Sequence, residues 1–244
     1  MQSGLYVSLS SQIALERRLT TIADNMANVN TVGFRATDVK FDEVLSDTQN
    51  EQNAKVAFVS QGNDYLSTRT GQLDNTGSSL DFAIKGDAWF AIDTPAGQVL
   101  TRDGRFTLTE AGALVSSQGY PVLDAGGAQI QVNRDGGPLA VGLDGVVQQN
   151  GVTVAQIGVF ESDISKGFIR YENSGVIPSD KPQAVTDRYD VGVVQGYLEQ
   201  SNVNGIREMT QLIQVNRAFE NITALMRDSE GSLDEAIKTL GGSR

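Results

Sequence analysis

Apolar residues at both ends of this 244-residue chain recur in alternating steps of four and three. Near the start they are Leu15, Leu19, Ile22, Met26 and Val29. Near the finish they are Leu212, Val215, Phe219, Ile222, Met226, Leu233 and Leu240, with Ser229 and Ala236 in the two gaps. In a helix this alternation lays the side chains along one stripe, the pattern of a coiled-coil seam. The sequence between is rich in Gly and β-branched residues and cannot continue a helix. The order predicts an α+β protein in which N- and C-terminal helices pair as a coiled-coil domain. A central all-β domain, an antiparallel sandwich or barrel-like body, and an extended connector complete it.

Residues 1–35 and 200–244 are assigned to the helical domain, 36–75 to the connector and 76–199 to the β-rich domain. The first helix is predicted over 3–30, with Ser3 as N-cap and with Asn28, Asn30 and Gly33 as the stop, because Asn and Gly tolerate the left-handed backbone of a helix end. The connector is polar and reads as extended or partly helical, with TDVKFDEVL as a short helical turn. Beyond residue 76 the period becomes two: Phe82 and Ile84, Trp89 and Ala91, Phe106 and Leu108. Turn signals such as DTPAGQ, TRDGR, TEAGA, DAGGA and GLDG punctuate it, and all five prolines fall between Pro95 and Pro182. That is antiparallel β patterning. The helical period returns from Val203.

Composition narrows the chemistry. With no Cys and no His, disulfides, thiolate nucleophiles, Cys/His zinc sites and imidazole bases are excluded. No cofactor or metal site is predicted. The net charge is −11, yet residues 1–35 carry +1 and residues 200–244 carry −1, so the middle holds −11. Near-neutral ends can approach one another while the acidic body stays solvated. No basic footprint points to nucleic acid. No apolar run approaches the roughly 20 residues of a membrane span. The opening MQSGLYVSLSSQIALERR has its arginines after the apolar positions and does not read as a Sec signal.

Two polar strings flank the helices. NMANVNTVGF contains Asn25, Asn28, Asn30, Thr31, Gly33 and Phe34; SNVNGIREM contains Ser201, Asn202 and Asn204. One reading is an ordinary helix end and turn. The other is an amide-rich patch that interlocks subunits, since side-chain amides both donate and accept. Asn202 or Asn204 can cap the second helix, with Glu208 in a capping-box role. The remaining signals read as structure. Gly86, Gly97 and Gly104 form no phosphate loop. The Asp-Gly pairs at 103–104, 135–136 and 144–145 lack the acidic series of a calcium loop. Trp89 reads as a core aromatic, and the adjacent pairs Asp42/Glu43 and Asp234/Glu235 diverge too far for glycosidase geometry.

The strings also carry a resemblance. NMANVNTVGFR resembles the N-terminal signature N-x-A-N-x-x-T-x-G-[FY] of the flagellar rod and hook protein family. TGSSLDFAIKGDAWFAI, TRDGRF with GALV and GYPVL, and LEQSNVN with EMTQLIQVNRAFE are similar to later segments of that family, in its order and over nearly the whole chain. Ser78–Ser79 stand where Asn–Pro is usual, and Ala88–Trp89 where Gly–Phe is usual. The FRATDVKF and LDFAI spellings are most similar to the proximal rod members.

The resemblance implies a non-enzymatic structural subunit of the flagellar basal body, in the periplasm. It would polymerise through its terminal helices into a helical tube that transmits torque. The implied partners are copies of itself, other flagellar rod proteins and the flagellar type III export apparatus. A distal rod or hook-type subunit is the alternative within the family, although the additional domain of hook protein has no room here. The alternative outside it is a carboxylate-dependent periplasmic cell-wall hydrolase.

Overall fold

The computed structural model describes residues 2–46, 56–60, 62–186 and 188–242, which form two compact units. One comprises residues 1–27, 37–65 and 204–244; the other comprises residues 28–36 and 66–203. The architecture is α+β, with a helix at each end of the chain and a β-rich region between.

In the first unit, α1 spans Gln2–Ala27 and α2 spans Gly205–Gly241, 26 and 37 residues. Strands β1 (Thr37–Lys40), β2 (Glu43–Ser46), β3 (Val56–Val59) and β4 (Asn63–Leu66) complete it. β1 pairs with β4, β2 pairs antiparallel with β3, and both β1 and β3 lie against α1. The expected helical turn at TDVKFDEVL is therefore corrected to strand. Its cause is legible in the burial: Thr37, Val39 and Phe41 are half-buried, whereas Asp38, Lys40 and Asp42 are exposed. That is a period of two, which only an extended chain converts into one covered face. The segment 36–75 thus divides, and residues 37–65 group with the terminal helices.

In the second unit the strands are β5 (Leu73–Asn75), β6 (Phe82–Lys85), β7 (Trp89–Thr94), β8 (Gly97–Thr101), β9 (Phe106–Leu108), β10 (Leu114–Ser116), β11 (Leu139–Val141), β12 (Val146–Gln149) and β13 (Val152–Gln156). They continue as β14 (Val159–Glu161), β15 (Phe168–Tyr171), β16 (Gly175–Pro178), β17 (Gln183–Ala184), β18 (Gly192–Gln195) and β19 (Tyr197–Glu199). The largest sheet has the order β15-β16-β8-β7-β14-β17. Its centre is the β7–β8 hairpin, closed by a turn with Gly97 at φ 101°. Smaller ladders join β18 to β6 and β19 to β5, so the end of the unit returns to its beginning.

Alternation along β7 explains the core. Phe90 and Ile92 point into one apolar cluster with Phe82, Ile84, Val99, Phe106 and Leu114. Trp89 and Ala91 point into another, with Leu66, Leu100, Leu123, Phe160 and Val176. The central strand is covered on both faces. Phe106 holds the larger cluster together, its ring 5.8 Å from Phe82 and 5.2 Å from Phe90. A fully buried aromatic or branched aliphatic side chain contributes about 1.5–3 kcal/mol, which is what anchors this unit.

Candidate assembly site

The helical stripes occupy the first unit. Ile22 and Val215 are buried; Leu15, Leu19, Met26, Leu212, Phe219, Ile222 and Met226 are half-buried. Val29 lies past the end of α1, in the turn that follows it, so the helix stops three residues short of its predicted end. Leu233 falls among residues whose side chains lie outside the described set.

Asn25 fixes how the two helices meet. It is 1% exposed, its Oδ1 accepts from Thr37 N at 3.0 Å, and its Nδ2 donates to Thr37 O at 2.8 Å. The same amide hydrogen-bonds Glu208 on α2. Burial pushes the Glu208 carboxyl up and nearby Asp38 adds to this, while the Asn25 bond and Arg207 and Arg18 oppose it. Because the end of α1 meets the start of α2, and the helices lie against one another, they run antiparallel. At ~1.5 Å per residue, α1 extends roughly 35 Å from the Asn25 level and runs out beside about Gly231. Beyond that level Ile237 and Leu240 of α2 are 66% and 83% exposed.

Asn204, not Asn202, caps α2: its Oδ1 accepts from Arg207 N at 3.0 Å, with φ −99° and ψ 101°. Glu208 is one position too far along for the capping-box role and turns to Asn25 instead. Asn202 belongs to the second unit. Its Oδ1 accepts from Ala36 N and its Nδ2 donates to Arg69 O, both at 2.7 Å. Ser201 Oγ accepts from Val203 N at 3.3 Å. In the N-terminal string, Thr31 donates its hydroxyl to Asn28 Oδ1 at 3.0 Å and its amide to Asn28 O at 3.1 Å. Asn30 is exposed. The amides of Asn25 and Asn202 are thus engaged within their own chain, where they position backbone.

Gly33 has φ +71° and donates its N–H to Glu199 O at 2.7 Å. A Cβ here would stand 2.2 Å from Asp103 N and 2.4 Å from the Arg102 carbonyl carbon, so only glycine fits. Phe34 is buried, with the Arg170 guanidinium 4.4 Å above its ring; Arg170 also donates to the Arg35 carbonyl.

Sequence reasoning missed the most densely bonded cluster. Arg35, Arg102 and Glu199 are all buried. Glu199 is ion-paired to both arginines: Oε1 lies 3.0 Å from Arg35 Nη2, and Oε2 accepts a hydrogen bond from Arg102 Nη1 at 3.0 Å. Oε1 accepts from Gly71 N at 2.9 Å. Arg35 donates to the carbonyls of Thr68 and Arg69 at 3.1 and 2.7 Å, and Arg102 to those of Ile84 and Gly86 at 3.1 and 2.7 Å. The Trp89 ring lies 5.7 and 5.3 Å from the two guanidiniums. Burial pushes the Arg102 guanidinium down to about 10, with Glu199 opposing and Arg35 adding to it. Two cations, one buried carboxylate, the exposed Asp87 at 3.9 Å from Arg102 Nη2, carbonyl dipoles and a π face make up a charge cluster. It holds chain segments together and offers no nucleophile or general base. Its signal in the sequence is slight: an Arg or Glu one or two positions from an apolar residue in FRA, LTRD and YLEQ.

Three family profiles match: Flagella basal body rod protein over residues 5–35, Flagellar hook protein FlgE/F/G D1 domain over 83–149, and Flagellar basal body rod FlgEFG protein C-terminal over 194–239. The flagellar basal-body rod protein FlgF of Rhizobium meliloti (strain 1021) is 67% identical, with all of both chains covered. The chain belongs to the FlgF family of flagellar basal-body rod proteins. FlgF of Mesorhizobium japonicum is 58% identical over 99% of each chain, and the rod protein FlgG of Bacillus subtilis 32% identical over 97% of this chain and 98% of its own. FlgF proteins are structural parts of the flagellar basal body, not enzymes. The first and last profiles cover both terminal helices, the Asn25 to Arg35 string, Glu199 and Asn202. None of the helices in the described residues is long and apolar enough to cross a membrane.

Proposed function

We propose that this FlgF-family subunit builds the proximal rod by polymerising through its terminal helices, which associate as a coiled coil within and between subunits into a helical tube that carries torque. The carrying observation is the apolar stripe of α2 continuing past the reach of α1, where Ile237 and Leu240 stand exposed. Single exposed apolar residues are ordinary, but Leu240 stands on the line of the stripe itself and Ile237 beside it, which marks unfinished packing. Heterologous contacts that do not close give an open filament.

In this proposal residues 1–35 and 200–244 form the inner helical layer, 36–75 the connector, and 76–199 an outer antiparallel β body of sandwich or barrel-like form. The partners are copies of the chain, other rod proteins and, during delivery, the flagellar type III export apparatus. The test substitutes Ile22→Asp or Phe219→Asp, with Leu240→Asp as a variant outside the α1–α2 contact. All three should fail to enter basal bodies while keeping the near-ultraviolet signal of Trp89, the only tryptophan, in the second unit. Incorporation of Leu240→Asp at the wild-type level would refute the proposal, as would loss of the Trp89 signal in every variant.

A further inference from the structure

Each terminal helix carries a second apolar stripe that its partner helix does not cover. On α1 it is Tyr6, Leu9 and Ile13; on α2 it is Ile206, Met209 and Ile213. All six are between 44% and 83% exposed. Ile13 precedes buried Ile22 by nine residues, and Ile206 precedes buried Val215 by nine. Nine residues are about two and a half helical turns, so Ile13 and Ile206 lie diametrically opposite the buried residue of their helix, and each stripe faces away from the α1–α2 contact. Both also share the spacing i, i+3, i+7.

We infer that these stripes are the two halves of one contact: the α1 stripe of one copy docks antiparallel on the α2 stripe of a second copy displaced along the helix axis. The inference rests on the reading that the terminal helices carry assembly, and it adds the register. Asn25 and Glu208 mark a common level. Leu9 lies sixteen residues above it on α1 and Met209 one residue above it on α2, so the displacement is roughly 22 Å at ~1.5 Å per residue. At that shift Tyr6 faces Ile213, Leu9 faces Met209 and Ile13 faces Ile206.

A second copy fits because the spacing is matched and because charge does not oppose it. Residues 2–15 carry no charged side chain, and residues 200–244 sum to −1, whereas residues 36–199 carry −11. Copies that meet through their helices avoid the repulsion their bodies would impose. The α1 stripe is not the α2 stripe, so the contact is heterologous and repeats without closing.

The absence of native cysteine permits a direct test. Full-length Leu9→Cys and Met209→Cys chains are mixed, concentrated until they associate, and oxidised. The mixed disulfide should exceed that of a Leu9→Cys and Ile237→Cys mixture by on the order of ten-fold, since a bridge requires Cα atoms within about 7 Å. Preferential linkage of Leu9 to Ile237 would overturn the register while leaving helix-mediated assembly standing. Linkage through Val154→Cys in the β-rich unit, with none from either helix, would overturn both, as would a chain that stays monomeric throughout.

Discussion

Asn25 near the end of α1 and Glu208 in the first turns of α2 are joined by a side-chain hydrogen bond, and the same amide closes a two-bond ring with the backbone of Thr37. One buried side chain thereby fixes the meeting of both helices with β1. Its replacement by alanine removes both bonds to Thr37 and the bond to Glu208. A hydrogen bond contributes about 0.5–1.5 kcal/mol net, so Asn25→Ala should lower stability by roughly 2–4 kcal/mol, read as the midpoint of denaturant unfolding. A change under about 0.5 kcal/mol, the surface level, would show that the amide does not hold this corner.

Glu208 gives that corner a pH dependence of defined sign. Its carboxyl is raised above the usual value by burial, so the folded chain holds the proton more tightly than the unfolded chain. Its contribution to stability is fully present below the unfolded value of about 4.3 and is lost as pH rises through the raised folded value. Glu208→Gln removes this dependence. The wild type should therefore lose stability relative to Glu208→Gln as pH climbs from about 4 toward neutrality; parallel curves would contradict the assignment.

Removing Glu199 leaves two guanidiniums buried without their carboxylate. Breaking a buried pair from one side costs about 3–5 kcal/mol, and Glu199→Ala should reach that range in equilibrium unfolding followed by Trp89 fluorescence. Trp89 is the reporter because both guanidiniums lie within 6 Å of its ring, at 5.7 and 5.3 Å.

Gly33→Ala meets backbone at 2.2 Å and must hold φ +71°. Overpacking and left-handed strain together amount to roughly 2–5 kcal/mol. Gly97→Ala has a similarly positive φ but nothing within 4 Å, so it carries only the strain, about 1–2 kcal/mol. Equal melting temperatures for the two variants would show that the close approach at Gly33 does not exist in solution.

The helices were legible because their apolar spacing is periodic, and the central strands because Phe82 through Leu108 alternate between frequent turns. The strand at Thr37 was equally periodic, but only four residues long and set among polar neighbours, where a one-turn helix and an extended piece look alike. Flagellar rod kinship was legible in the strings around Asn25 and Asn202. Their physical purpose was not, because an amide that grips its own backbone and one that grips a neighbour have the same spelling. The Arg35–Glu199–Arg102 cluster was hidden for a different reason. Charged residues are ordinarily read as surface, and only the fold reveals that residues 35, 102 and 199 converge.

That convergence has a temporal side. Glu199 lies in the last fifth of the chain, yet it is the buried carboxylate that Arg35 and Arg102 share, so the cluster cannot close until it arrives. A polypeptide emerging from its N-terminus on a ribosome therefore completes this cluster only once residue 199 has been delivered, so the joining of such distant segments is a late event in its folding.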